Sequence, residues 1–214
     1  MRLFRIRTFR VAVSGSFFTR IGIGGVPFLL PLLYQVGLGF SPIQSGLLIM
    51  PQAFGAMCSK SFVGQVLQRL GYRGLLVSNT VILGLLLFLF ATIGVRTPVW
   101  LIVLQAFAYG IFTSMQYTSM NTLAYADLTE PQTSNGSSIA STMQQLSVTF
   151  GVATAGLTTA LFVPHPSTAT EMIHGLHKAL LLLGLLTILS TSVFRSLKPS
   201  DGSNVSSQKL VHHG

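Results

Sequence analysis

Six apolar stretches, each long enough to cross a bilayer, fill most of the chain; they lie near 11–34, 42–64, 75–94, 99–124, 135–163 and 179–195. Helical rise is ~1.5 Å per residue, so about 20 residues cross the ~30 Å hydrocarbon core. The polar residues are shared unevenly among these stretches. The third and sixth are almost wholly Leu, Ile, Val and Phe with small residues. The other four hold glutamines, an arginine and most of the glycines. A polar side chain in lipid is costly unless it faces protein or water. The pattern therefore predicts an all-α integral membrane fold of six transmembrane helices. Helices one, two, four and five line a hydrated face, and three and six stand outside against lipid.

Turn chemistry separates the stretches. Gly37-Leu38-Gly39-Phe40-Ser41-Pro42, Gly71-Tyr72-Arg73-Gly74 and Arg96-Thr97-Pro98 are short connections. Pro42 and Pro98 fall where a helix begins and a missing N–H is tolerated. Asp127-Leu128-Thr129-Glu130-Pro131 ends the fourth span, and Ser134-Asn135 is expected to cap the fifth. Residues 1–195 form one membrane unit, and 196–214 read as a disordered, Ser-rich cytoplasmic tail.

Composition agrees with this reading. Half of the 214 residues are hydrophobic and 8% are charged, and mean hydropathy is +0.64. Soluble domains carry about a quarter charged residues. The excess of 13 Lys+Arg over 4 Asp+Glu does not signal nucleic acid, because the cations sit at span ends, where topology and acidic headgroups account for them. With the N-terminus inside, ten cations fall in inside segments: Arg2, Arg5, Arg7, Arg10, Lys60, Arg69, Arg73, Arg195, Lys198 and Lys209. Only Arg96 and Lys178 fall outside, so both termini are expected in the cytoplasm of an inner-membrane protein. The cationic N-terminus resembles a signal peptide, but the following run is too long and holds Arg20, Pro27 and Pro31, so it reads as an uncleaved first span.

Arg20 is the sharpest single signal. It lies roughly 14 Å along the first span, where a guanidinium costs several kcal/mol unless paired or hydrated. The spans as drawn contain no Asp or Glu. Its partner is then water, a backbone carbonyl, a Gln or a carboxylate on another chain; the plainer alternative is snorkelling to the interface. Gly24, Pro27 and Pro31 share its helical face.

On the fourth span Gln105, Tyr109, Phe112 and Gln116 form one stripe. Amides and rings in this arrangement suit a small amphiphilic or cationic ligand, or else hydrogen bonds between helices. On the fifth, Gln144 shares a face with Ser137, Ser141, Gly151 and Ala155, a small-residue pattern that favours close helix packing. Asn121 points away from the Gln stripe, towards a neighbouring helix.

Several other patterns carry no function. His165, His174 and His177 fall in an outside loop without ligand spacing, so no metal is expected. Cys58 is alone, which excludes a disulfide framework. Gly22-Ile23-Gly24-Gly25 follows no strand and is no phosphate loop. Asn135-Gly136-Ser137 and Asn204-Val205-Ser206 match glycosylation acceptors but face the cytoplasm in this topology. No nucleophile–base set converges at one depth, so enzyme chemistry and cofactors are not expected.

The segment Gly64-Gln65-Val66-Leu67-Gln68-Arg69-Leu70-Gly71-Tyr72-Arg73 resembles the cytoplasmic G-x-L-a-D-r-x-G-r-r loop of the major facilitator superfamily. Gly64, Arg69, Gly71 and Arg73 match its gating-loop pattern, and Gln68 stands where the family carries an acid. Gly15-Ser16-Phe17-Phe18-Thr19-Arg20-Ile21-Gly22, Leu38-Gly39-Phe40-Ser41-Pro42, Ser119-Met120-Asn121-Thr122-Leu123 and Gln145-Leu146-Ser147 resemble the C-terminal half of the fourteen-helix drug:proton antiporters of EmrB/QacA type. The resemblance implies one six-helix half of a pseudo-symmetric carrier, whose first, second, fourth and fifth helices line the cavity. It also implies a separate or missing N-terminal half that carries the coupling acids. Two functions follow as expectations: half of a proton-coupled multidrug or small-molecule efflux transporter, or a truncated membrane protein with a structural or regulatory role and no transport.

Overall fold

A computed structural model describes residues 2–163, 168–198 and 201. Among these residues the regular structure is entirely helical: a turn at Arg2–Arg5, then α1 (Arg7–Ile23), α2 (Val26–Leu32), a wide turn at Leu33–Gly37, α3 (Pro42–Phe90), α4 (Val99–Tyr125), α5 (Glu130–Phe162) and α6 (Ala169–Phe194). His165 and its flanking prolines lie outside the described residues, as do Asn204 and Lys209 of the tail.

Five continuous stretches are long and apolar enough to cross a membrane. The 49-residue α3 accounts for two crossings. Straight, it would measure about 74 Å at ~1.5 Å per residue, more than twice the hydrocarbon thickness. It is broken at Gly71, whose φ of 66° and ψ of 170° belong to a region open in practice only to glycine. The two arms pack on α4 in opposite senses. In residues 42–70, the carbonyl of Gln52 meets Gly110, and Ser114 Oγ donates to the carbonyl of Ala56 at 3.2 Å, so this arm runs parallel to α4. In residues 72–90, Asn79 reaches Gln116 and Phe90 meets Tyr109, so that arm runs antiparallel. The chain reverses at one residue, and the bundle has six crossings. The expected multi-residue loop at 64–74 is therefore replaced by helix on both sides of Gly71.

The first crossing, Arg7–Gly37, is not one smooth helix. Pro27 has no N–H to give the carbonyl of Ile23, four residues before it, and α1 ends there. Tyr109 Oη of α4 donates to that carbonyl at 3.3 Å, so a donor from another helix replaces the lost bond. Past Pro31, the Leu38 N–H reaches the carbonyl of Leu33, which widens the turn before Gly39 (φ 74°) opens the connection.

Other ends differ from the sequence expectation for one reason: capping, not hydropathy, sets them. Ser41 caps α3 in a reciprocal box with Gln44, and Pro42 occupies the first turn as expected. Thr129 and Gln132 form the box that starts α5, in place of Ser134-Asn135. Thr168 and Glu171 start α6 about ten residues before the apolar run. His174 and His177 consequently lie on a helix and not in a loop, and a His177 ring nitrogen bonds the Ile93 carbonyl at 2.8 Å. The start of the tail is packed: Leu197 is buried and Asp201 forms an ion pair with Arg7.

Among the described residues, the buried apolar side chains form three clusters, the largest of which joins the first crossing, the second α3 arm and α6. Leu83, Leu87 and Phe90 of the second α3 arm meet Leu176, Leu180 and Leu183 of α6 and Leu29, Leu30 and Leu33 of the first crossing. Gly84 and Gly184 bring these two dry helices together: a Cβ on either would lie within 3.0 Å of the other's carbonyl. The same helices present Leu85, Leu89, Leu181, Leu185 and Leu189 outward. They thus supply core on one side and an apolar surface on the other.

Candidate functional site

Arg20 is buried, with 6% of its surface exposed. One turn earlier on α1, Ser16 Oγ accepts from Arg20 Nε at 2.9 Å. The guanidinium carbon sits 3.9 Å from the centroid of the Tyr117 ring of α4. A cation–π contact out of water contributes about 2 kcal/mol, and a charged hydrogen bond ~1.5–3 kcal/mol. Together they offset much of the several kcal/mol that an arginine costs at membrane depth. The described partners of the charge are a hydroxyl and a ring, neither of them among the candidates read from the sequence.

One turn beyond Tyr117, Asn121 Oδ1 accepts from Gln144 Nε2 of α5 at 2.7 Å. Asn121 thus bonds a neighbouring helix, as its position off the Gln stripe implies. Ser16, Asn121 and Gln144 line one small cleft between α1, α4 and α5. The cleft is fixed by close backbone contact. A Cβ on Gly151 of α5 would lie 2.8 Å from the Arg20 carbonyl and 3.1 Å from Gly24 Cα. A Cβ on Gly25 would lie 2.6 Å from Ala155 Cβ. Gly151 and Ala155 therefore serve helix packing, the reading that small residues favour.

The α4 stripe is brought together in the interior but does not join the Arg20 cluster as a ligand surface. Gln116 is fully buried; its Oε1 accepts from Asn79 Nδ2 and its Nε2 donates to Thr80 Oγ1, both at 2.8 Å. Asn79 also donates to the Phe112 carbonyl. Tyr109 spans to α1 through the Ile23 carbonyl and meets Phe90 edge-on at 5.5 Å. Gln105 is 2% exposed, and neither amide atom has a partner among the described residues. The three hydrogen-bonding members of the stripe thus separate into two that join helices, Tyr109 and Gln116, and one, Gln105, that is unsatisfied among the described residues.

At one end of the bundle Arg69 and Arg73 are exposed on either side of Gly71, and Gly64 lies within helix with open space at its Cβ position. Near that end Thr8 Oγ1 donates to Asp127 Oδ2 at 2.8 Å, and Arg7 holds Asp201. No group of three or more possible metal-ligating side chains occurs among the described residues.

Sequence reasoning missed Ser16, Tyr117, Asn79 and Thr80. Ser16 precedes Arg20 by four residues, a visible signal. Tyr117 lies off the Gln stripe, so the stripe gives no signal for it. Asn79 and Thr80 sit in a span otherwise so apolar that it reads as dry.

The described residues thus form a multi-pass helical membrane bundle with a buried cation braced between its first, fourth and fifth crossings. Residues 2–152 match the Major Facilitator Superfamily, and the chain belongs to that family. It is similar to proteins that bear the name multidrug resistance protein MdtD. The one from Pectobacterium atrosepticum is 38% identical over 175 residues, covering 81% of this chain and 38% of that protein. The one from Serratia proteamaculans is 39% identical over 165 residues, 77% of this chain and 35% of the relative. The one from Shigella sonnei is 42% identical over 162 residues, 76% and 34% respectively. The chain thus spans a little over a third of the length of these relatives. The resemblance to multidrug resistance members of this superfamily and the all-helical fold of the described residues stand confirmed.

Proposed function

We propose that the chain supplies one six-helix half of a proton-coupled efflux carrier for small amphiphilic molecules. It sits in the inner membrane with both termini cytoplasmic and works with a complementary N-terminal half. Family membership and the names borne by its relatives support efflux transport. The observation that carries the reading is Arg20. It is a buried cation, held by α1 and α4 beside α5, that meets no carboxylate among the described residues. A charge kept at depth without a counter-ion is costly in a purely structural helix. It becomes useful where an acid or a substrate approaches from across the carrier, as alternating access between two repeats requires.

In this reading Arg20 and Gln144 contact the transport path, and Gln105 is the member of the α4 stripe with hydrogen-bonding capacity to offer. Tyr109 and Gln116 hold α4 in register. Gly64, Arg69, Gly71 and Arg73 form the cytoplasmic turn, with Gln68 in the acid's place.

Proteoliposomes containing this chain alone should show no proton-driven accumulation of an amphiphilic dye. Reconstitution with a matching N-terminal half should restore it, and Arg20→Ala should then lower the rate at least tenfold while Arg20→Lys retains part of it. Robust transport by the lone chain would overturn the half-carrier reading. No transport in any pairing, with the complex intact, would favour the structural or regulatory alternative.

A further inference from the structure

The turn at Gly71 and the end of α6 meet at the surface. Tyr72 and Leu76, one turn apart, point inward with Phe194 and Leu197 into a common apolar cluster. The next residue round on each turn, Arg73 and Val77, consequently faces outward. With Leu70, Gly74 and Arg195 they line a crevice of about 310 Å³. Two guanidinium groups from different helices converge here over an apolar wall, and Leu70 is 55% exposed. The acids described near this end are engaged elsewhere: Asp127 accepts from Thr8, and Asp201 pairs with Arg7. Neither Arg73 nor Arg195 has an ion-pair partner among the described residues. The crevice therefore presents uncompensated positive charge at the edge of the apolar belt.

We propose that this crevice binds the phosphate headgroup of an acidic phospholipid, with an acyl chain lying along Leu70 and Val77. Basic pockets between helices at a membrane surface recognise such headgroups, and a guanidinium pair offers the planar donors that phosphate oxygens take. A free phosphate shares the headgroup chemistry but gains nothing from the leucine and valine. The leaflet occupied follows from the orientation proposed above. The binding does not depend on it or on transport.

The full chain, purified in a neutral detergent, is titrated with phosphatidylglycerol, phosphatidylcholine or inorganic phosphate. Thermal unfolding and native mass spectrometry are the readouts. Phosphatidylglycerol should raise the unfolding midpoint and persist as an adduct, and the other two should not. Removing each positive charge should weaken phosphatidylglycerol binding about fivefold, so R73Q/R195Q should bind it far less. R73K/R195K, which keeps the charges and loses only the planar donors, should bind it more weakly than the unaltered chain but better than R73Q/R195Q. High salt should abolish the shift in the unaltered chain, a measurement that needs no variant to fold. Equal binding of phosphatidylcholine, undiminished binding by R73Q/R195Q or a salt-insensitive shift would overturn the site. Phosphate that reproduces the full shift would overturn its assignment to lipid.

Discussion

Gln105 and Gln116 lie three turns apart on one face of α4, and the same amide has opposite standing at the two positions. Gln116 joins α4 to Asn79 and Thr80 of the second α3 arm, while Gln105 is buried without a partner among the described residues. Interhelical hydrogen bonds in membranes contribute ~0.6 kcal/mol on average and up to ~1.7 kcal/mol. An unsatisfied buried polar group costs ~1–3 kcal/mol, so its apolar replacement is neutral or favourable. Gln116→Leu is therefore expected to lower stability by about 1–2 kcal/mol, and Gln105→Leu to leave it unchanged or raise it. Unfolding of the purified chain in mild detergent distinguishes the two; equal losses would show that Gln105 has a partner. If Gln105 contacts substrate, its leucine variant should also lose transport in the assembled carrier without losing stability. The helical wheel makes the shared face of the stripe legible, since angle depends only on sequence spacing. It says nothing about which helix lies opposite, and so Asn79, Tyr117 and Ser16 stayed out of view.

Hydropathy sees only the part of each helix that lies in hydrocarbon, and this decides what was legible among the elements. The six crossings and the bounds of α4 were readable because a crossing needs ~20 apolar residues. The true ends were set by Thr129–Gln132 and Thr168–Glu171 capping boxes, which carry α5 and α6 beyond their apolar runs. The reversal at Gly71 was visible as a glycine between arginines, but not that one residue suffices. With φ at 66° and ψ at 170°, a side chain there is strained by ~1–3 kcal/mol. Two antiparallel arms depend on that conformation, and Gly64, which is already helical, does not share the constraint. Gly71→Ala should thus destabilise the chain by about 1–3 kcal/mol, and Gly64→Ala should be neutral or stabilising because alanine is the better helix former. Thermal melts of the two variants side by side test this. Comparable melting of both would mean that the turn tolerates a side chain.

At the scale of the whole molecule, the Arg7–Asp201 ion pair places the beginning of the first crossing and the end of the last on one face. That face also holds the Gly71 turn, whose neighbour Tyr72 shares a cluster with Phe194 and Leu197. An even number of crossings follows without any appeal to charge. The sign of the orientation then rests on charge alone: of the ten cations that the sequence assigns to inside segments, the nine described lie in segments on the ion-pair face, and among the described residues only Arg96 and Lys178 lie on the other. Since Lys and Arg are retained on the cytoplasmic side during insertion, reporter fusions after Arg73 or Lys198 should report the cytoplasm, and a fusion after Arg96 the opposite side. The half-buried Arg7–Asp201 pair joins two ends that already share a face, and acidic residues weigh little in orientation, so Asp201→Asn should leave this pattern unchanged. Neutralising Arg5, Arg7 and Arg10 together removes three of the ten cations and should shift part of the population towards inversion. An inverted pattern in the unaltered chain would place the arginine crevice and the Gly71 turn outside the cell, and the proposed orientation would fail.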